Sequence, residues 1–570
     1  MSKKASATLG LLLATSFGIP WASWAADISL DKTTSYDGLT IPDGAQIVVP
    51  PGKVAVMTVD GVETAIKPGT YTGKVVLTVT EPIPVKYRKL DPHPFRAALM
   101  VTDGRIDQAH STPAAVAEGS VTDQAARGVH ITSHDEKFNG ILVGGSSRYE
   151  IDDPVIEMTG NGGNDFAGYG AALMSTGDAD VTVHNAKIRT TGVVRTAVFV
   201  GGHSTMRLDH ADIEVRNGVQ PPGYTFTLAM GQMFEVPWML GLTGTVRATN
   251  LVDHGTVYYT DSHIRAQGWG ALSTDDAAHV RMYVKDCLIE TIDSGYGAYS
   301  IGDSVDSFSH STFNVADMAL IMAVNGSGIF TDGTVVNSRR FGVLMHSGVG
   351  GGQLTIERGS VFNTRSTAIQ VKGRGSSILI DDSRIHAGNG VILQAMENDD
   401  PYATASGGPP PGIDLSDLPP RDPNAPVYSP DVAATIHNAD LTGDFLNTRT
   451  SQGGLSVTLE KARVTGAIST GTQAPLTGEA PTAQTYWLIG AVTNTLEASH
   501  DKNGAAVSVD GSSRWIVTQS SYLTALDLAP GGKIEAAPGY RLSLSLNGKR
   551  VPLAAGHYKG DVRLVVAPLS

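Results

Sequence analysis

The sequence predicts an all-β protein built as a stacked solenoid, and three observations carry this. First, a short phrase recurs through the middle of the chain. It runs from a small or polar residue through two further residues to Ile, Phe or Val, with copies starting at Asn185, His210, Asp261, Asp286, His310, Gly333, Gly359 and Asp382. The last six starts lie 25, 24, 23, 26 and 23 residues apart. A period in that range, carried by short β-type runs, belongs to coils that bury their apolar faces only against one another. Second, Gly supplies 65 of the 570 residues while charged residues make up 17%, as many tight turns between short strands require. Third, amphipathic helical periodicity is hard to find beyond residue 25.

The elements follow in chain order. Residues 1–25 read as a secretory signal, with Lys3 and Lys4 ahead of an apolar stretch from Leu9 to Ile19 and small residues at Ser23 and Ala25. The apolar stretch is short for a membrane span, and no later segment reaches 18 apolar residues, so an exported protein, periplasmic or secreted, is expected. Residues 27–90 form an N-terminal β module whose partner is the C-terminal module, residues 526–570. Residues 47–79 align without a gap onto 534–566, with Pro51/Pro538, Gly61/Gly548, Gly69/Gly556, Tyr71/Tyr558 and Gly73/Gly560 coinciding. Asp60-Gly61 and Asn547-Gly548 mark tight hairpin turns. The modules read as end caps for a solenoid with sticky edges, with carbohydrate binding or oligomerisation as the alternative. The coils occupy residues 91–525. They are interrupted by a Met- and aromatic-rich insertion at 217–244 and a Pro- and Gly-rich one at 396–431.

Short-strand coils of this length resemble the right-handed parallel β-helix of the pectate-lyase-like superfamily. The segment from Ser513 through Trp515 and Leu526 to Leu528 is similar to the last coils of pertactin-like autotransporter passengers. The resemblance implies an extracellular β-helix, often one acting on polysaccharide along a lateral face. The 42 residues after Leu528 are too few for a translocator barrel, so a self-exporting passenger is not expected. The polygalacturonase motif set is absent, and Val252-Asp253-His254 only faintly resembles the Asp-His element of pectate lyases.

The net charge of −14 argues against a nucleic-acid partner. The lone Cys287 sits beside Leu288 and Ile289 in a repeat and reads as a packed thiol. Stacking turns the sequence period into spatial columns about 4.8 Å apart per coil. Aligned apolar runs place Asp275, Asp276, Asp303, His346 and Lys372 after the runs, with Trp269, Tyr296 and Arg340 before them. Asp275 and Asp303 are expected as a close carboxylate pair for acid–base chemistry, with His346, Arg340 or Lys372 as base or substrate neutraliser. Each of these polar residues also has a plain structural reading as a turn residue. Trp269, Tyr296 and Trp238 are expected to stack on sugar rings. Asp165 and Arg195 are expected either as an ion pair or as one end of the same cleft, walled by the 217–244 insertion. No metal spacing and no cofactor motif is found.

The leading expectation is an exported enzyme acting on an extracellular polysaccharide or related glycan through a carboxylate pair, as a hydrolase or transglycosylase ahead of a lyase. A non-catalytic adhesin or surface stalk is the alternative, and an enzyme of an apolar or aromatic small molecule the third.

Overall fold

The computed structural model describes residues 27–85, 87, 90, 93–346, 351–373, 375–400, 431–450, 453–498 and 503–569. Residues 1–25, expected as a signal segment, and residues 401–430 of the expected insertion lie outside them.

The recurring phrase has a backbone cause. Its first residue adopts positive φ in every copy: Asn185 54°, His210 54°, Asp261 47°, Asp286 55°, His310 48°, Gly333 76°, Gly359 79° and Asp382 44°. Only Gly, and short polar residues that hydrogen-bond locally, visit that region at low cost. The chain therefore turns a corner at this residue in these eight copies, where the position is Gly, Asn, Asp or His; further along, Lys461 takes the same conformation with φ 51°.

The fourth residue of the phrase points inward. Ile188, Ile213, Ile264, Ile289, Phe313, Val336, Phe362 and Ile385 pair in unbroken parallel register from one coil to the next. All are buried, none more than 3% exposed. The second residue ties neighbouring corners together. The Ala211 N–H donates to Ser262 Oγ at 2.9 Å, Ser262 N–H to Cys287 Sγ at 3.4 Å, Cys287 N–H to Ser311 Oγ at 3.1 Å, and Ser311 N–H to Thr334 Oγ1 at 3.3 Å. Cys287 is thus a link in an internal ladder, and burial pushes its thiol up to about 12.

Parallel pairing of this kind runs through three long sheets of 18, 14 and 16 strands among the described residues. The coils between His130 and Ala395 contribute strands to all three sheets, and beyond them the strands Asp440–Thr442, Arg463–Thr465, Arg514–Val517 and Lys533–Ala536 form a further four-stranded sheet. The coil holding Thr256–Thr260, His263–Ala266 and Gly270–Ala277 pairs in parallel with the next, Val280–Lys285, Leu288–Thr291 and Tyr296–Ile301. The architecture is all-β, with its apolar core enclosed by the three sheets.

The two end modules are one structure used twice. Thr34–Ile41, Gly69–Thr80, Val54–Val59 and Val62–Thr64 pair antiparallel in that order, as do Ser521–Leu528, Gly556–Pro568, Tyr540–Leu546 and Lys549–Val551. The likeness extends to side chains. Asp60 Oδ1 accepts from Lys74 N–H at 2.8 Å, and Asn547 Oδ1 from Asp561 N–H at 2.9 Å. The Tyr71 hydroxyl donates to the Lys67 carbonyl at 2.8 Å, and the Tyr558 hydroxyl to that of Ala554 at 2.7 Å.

Candidate functional site

A cleft of about 840 Å³ opens between the turn at 159–172 and the insertion at 217–244. Two buried side chains shape the turn. The Asn139 amide donates to the Gly168 carbonyl at 2.9 Å and accepts from Gly170 N–H at 3.0 Å. Arg195, fully buried, donates to the carbonyls of Gly160 (2.8 Å), Phe138 (2.9 Å) and Asp135 (2.5 Å). Close packing makes glycine necessary here, since a Cβ at Gly170 would lie 2.5 Å from the Gly162 Cα.

The insertion forms the opposite wall. Tyr224 and Phe234 stack with ring centroids 5.3 Å apart, and the Tyr224 hydroxyl accepts from Phe234 N–H at 3.3 Å. Both rings are half-buried and line the cleft, together with Asn161, Asn164 and Tyr169 of the turn. Glu136 and Lys137 are the charged residues of the lining, so its formal charge cancels.

A buried polar knot lies beside this cleft and centres on Arg247. Its Nε donates to Asp165 Oδ2 at 2.6 Å, and its Nη1 donates to Asp275 Oδ2 and, at 3.3 Å, to Ser273 Oγ. The guanidinium lies between the rings of Phe166, 4.8 Å away, and Trp269, 4.9 Å away. Burial alone would lower the Arg247 pKa. The carboxylates of Asp165 and Asp275 outweigh burial and hold it well above its ordinary range. Burial pushes the Tyr296 phenol up to about 12, and its hydroxyl is 2.7 Å from Ser273 Oγ. Arg247 Nη2, Asp165 Oδ1, Asn250 Oδ1 and Asn164 Nδ2 are buried without a hydrogen-bond partner among the described residues.

Several expectations need correction. Asp275 and Asp303 do not face each other as a close carboxylate pair. The register that pairs Val280 with Ser304 sets Asp303 beside His279, and Asp303 is engaged by His279 and Arg281. Asp275 is held by Arg247 on another part of the coil. Trp269 and Tyr296 are not exposed sugar platforms, because they are 3% and 1% exposed and pack around Arg247. Arg195 does not pair with Asp165, whose cation is Arg247. Arg340 is a clamp rather than a base. It donates to the carbonyls of Gly241 (2.6 Å), Trp487 (2.7 Å) and Ile489 (3.0 Å) and to Asp317 Oδ1 (2.9 Å).

Lys372 is buried and ion-paired with Asp399. Desolvation, reinforced by the Lys372 ammonium, pushes His346 down to about 4, so its imidazole is neutral at pH 7. Trp238 is half-buried in the short turn Trp238–Leu240, which ends at Gly241 with φ 80°. Asp276 lies on the strand Gly270–Ala277, and its side chain is outside the described residues.

Of the expected site residues, the structure therefore gathers Asp165, Asp275, Trp269 and Tyr296 around one guanidinium, while Asp303, Arg195 and Arg340 are engaged by other partners. Arg247 itself escaped the sequence reading, although a signal existed. It stands level with Gly270, which in turn stands level with Tyr296, so counting back coil by coil from Tyr296 at the observed register leads through Gly270 to Arg247. No family model matches this chain, and no curated protein matches it.

Proposed function

We propose that the chain is an exported, right-handed parallel β-helix that takes an extracellular polysaccharide in the cleft beneath the 217–244 insertion. The observation that carries this reading is the composition of the cleft. The stacked Tyr224 and Phe234 rings line an opening of about 840 Å³ together with the amide residues Asn161 and Gln232. Aromatic faces pack against the C–H faces of sugar rings, and amides exchange hydrogen bonds with hydroxyls. Because Glu136 and Lys137 cancel, a neutral glycan fits the lining better than a polyuronate. In this reading the protein is a binding module, an adhesin or surface stalk.

One observation favours a second, catalytic reading, in which the glycan is hydrolysed or transglycosylated. Asp165 and Asp275 both engage Arg247, which places two carboxylates close to the cleft. The same experiment separates the two readings. The secreted protein is incubated with a panel of neutral and acidic polysaccharides, with retention on the polymer and product masses measured together. Retention without new products supports binding. Products that vanish in both Asp165→Asn and Asp275→Asn support catalysis. Absence of both, on every polymer, overturns the proposal.

A further inference from the structure

The duplicated end modules dock onto the coils by opposite edges. In the N-terminal module the joining strand is Val62–Thr64, which pairs in parallel with His130–Ser133 of the first coils through Val62/Thr132 and Glu63/Ser133. In the C-terminal module the joining strand is Ser521–Leu528, which pairs in parallel with Ala505–Val509. Ser521–Leu528 is the counterpart of Thr34–Ile41, and Lys549–Val551 is the counterpart of Val62–Thr64, residue for residue at an offset of 487. Each edge that is paired in one copy is therefore open in the other. Among the described residues, Thr34–Ile41 pairs only with Gly69–Thr80, and Lys549–Val551 only with Tyr540–Leu546.

Strand order fixes the sense of this arrangement. From the N-terminal tip inward it runs Thr34–Ile41, Gly69–Thr80, Val54–Val59, Val62–Thr64, then the coils. From the coils outward at the other end, the counterparts follow in the same sequence and finish on Lys549–Val551. Both copies thus face the same way along the stack. Each open edge is of a kind that already accepts a strand inside this molecule. An exposed strand edge is a template for pairing.

The two tips carry opposite charge. Residues 27–85 hold seven acids against four bases, and residues 521–569 hold six bases against three acids. The open edges share this bias, with Asp37 exposed on one and Lys549 and Arg550 exposed on the other. Like tips repel and unlike tips attract.

We propose that the chain assembles head to tail, with the Lys549–Val551 edge of one copy docking on the Thr34–Ile41 edge of the next. The contact is heterologous. It does not close on itself, and it generates linear arrays of β-helices rather than a symmetric dimer.

The test uses the full exported chain and two charge reversals on exposed positions, Asp37→Lys and the double variant Lys549→Glu/Arg550→Glu, each checked by circular dichroism. Sedimentation velocity is run from low to high micromolar concentration at low salt. The wild type is expected to form concentration-dependent linear oligomers that added salt dissolves. Each variant alone is expected to self-associate about ten-fold or more weakly, and their equimolar mixture to assemble again, because each then meets a tip of opposite sign. Three results would overturn the proposal: a wild type that stays monomeric throughout, a variant that associates like the wild type, or a mixture that fails to assemble although both variants are folded.

Discussion

Arg247 Nε donates to Asp165 Oδ2 at 2.6 Å across 82 positions of sequence, and both side chains are buried. The same guanidinium holds Asp275, so one cation joins the long turn, the end of the insertion and the next coil.

Removing that cation leaves two carboxylates buried without it. Arg247→Met, which keeps most of the packing volume, is expected to destabilise the protein by about 3–5 kcal/mol. Adding Asp165→Asn and Asp275→Asn to it is expected to restore most of the loss, because the buried charge is gone. Urea unfolding of the three proteins checks both statements.

The corner residue of each coil is expected to tolerate Gly and reject β-branched side chains. At Asp261, with φ 47°, Asp261→Gly should shift stability little, whereas Asp261→Val should cost about 1–2 kcal/mol or more. By contrast Ile289→Ala, in the buried stack, should cost about 2–5 kcal/mol. Thermal melts read all three.

Much of the architecture was legible in the sequence for this reason. The left-handed corner restricts residue type, and the buried stack restricts the fourth residue to Ile, Val or Phe, so two backbone constraints wrote the period directly into the chain. The end modules were legible because hairpin turns at Asp60-Gly61 and Asn547-Gly548 demand small residues at fixed spacing. The site was less legible. Sequence columns tell which residues share a phase, but not which side of the sheet they face. Trp269 and Tyr296 fall one residue out of phase, because Tyr296 pairs with Gly270, and both are buried near Arg247. Asp275 and Asp303 were paired by counting from apolar runs, whereas the hydrogen-bond register sets Asp303 against His279. Arg247 found Asp165 through a contact that no local pattern encodes.

A buried acid makes stability fall as pH rises. Asp306 lies inside the core on Ser304–Ser309, and burial pushes its carboxyl up to about 8, with Ser300 and Arg281 opposing. The folded state therefore holds this proton more tightly than the unfolded chain, where the ordinary value applies. Stability is highest below about pH 4 on this account and is lost progressively up to about pH 8, by a few kcal/mol. Glu63, raised to about 7 by burial against the opposing effect of Arg96, adds a loss of the same sign over a narrower window. Asp306→Asn is expected to flatten the upper part of the curve and to raise the melting temperature at pH 8. A steeper curve in the variant would contradict the assignment.

Arg340 is expected to hold the insertion in place, because it ties Gly241 to Asp317 and to the carbonyls of Trp487 and Ile489. Arg340→Ala should speed hydrogen exchange in residues 217–244 by about ten-fold or more while leaving the coils around Ile289 protected. Hydrogen exchange read by mass spectrometry resolves the two regions.

The central claim is that the cleft walled by Tyr224 and Phe234 is where a glycan binds. Its most direct test is the affinity of the wild type and of Tyr224→Ala and Phe234→Ala for the polysaccharide that the wild type retains, measured by isothermal titration calorimetry. Each ring removed is expected to weaken binding about ten-fold or more, with the melting temperature of the coils unchanged. Unchanged affinity in both variants, with intact folding, would contradict the account.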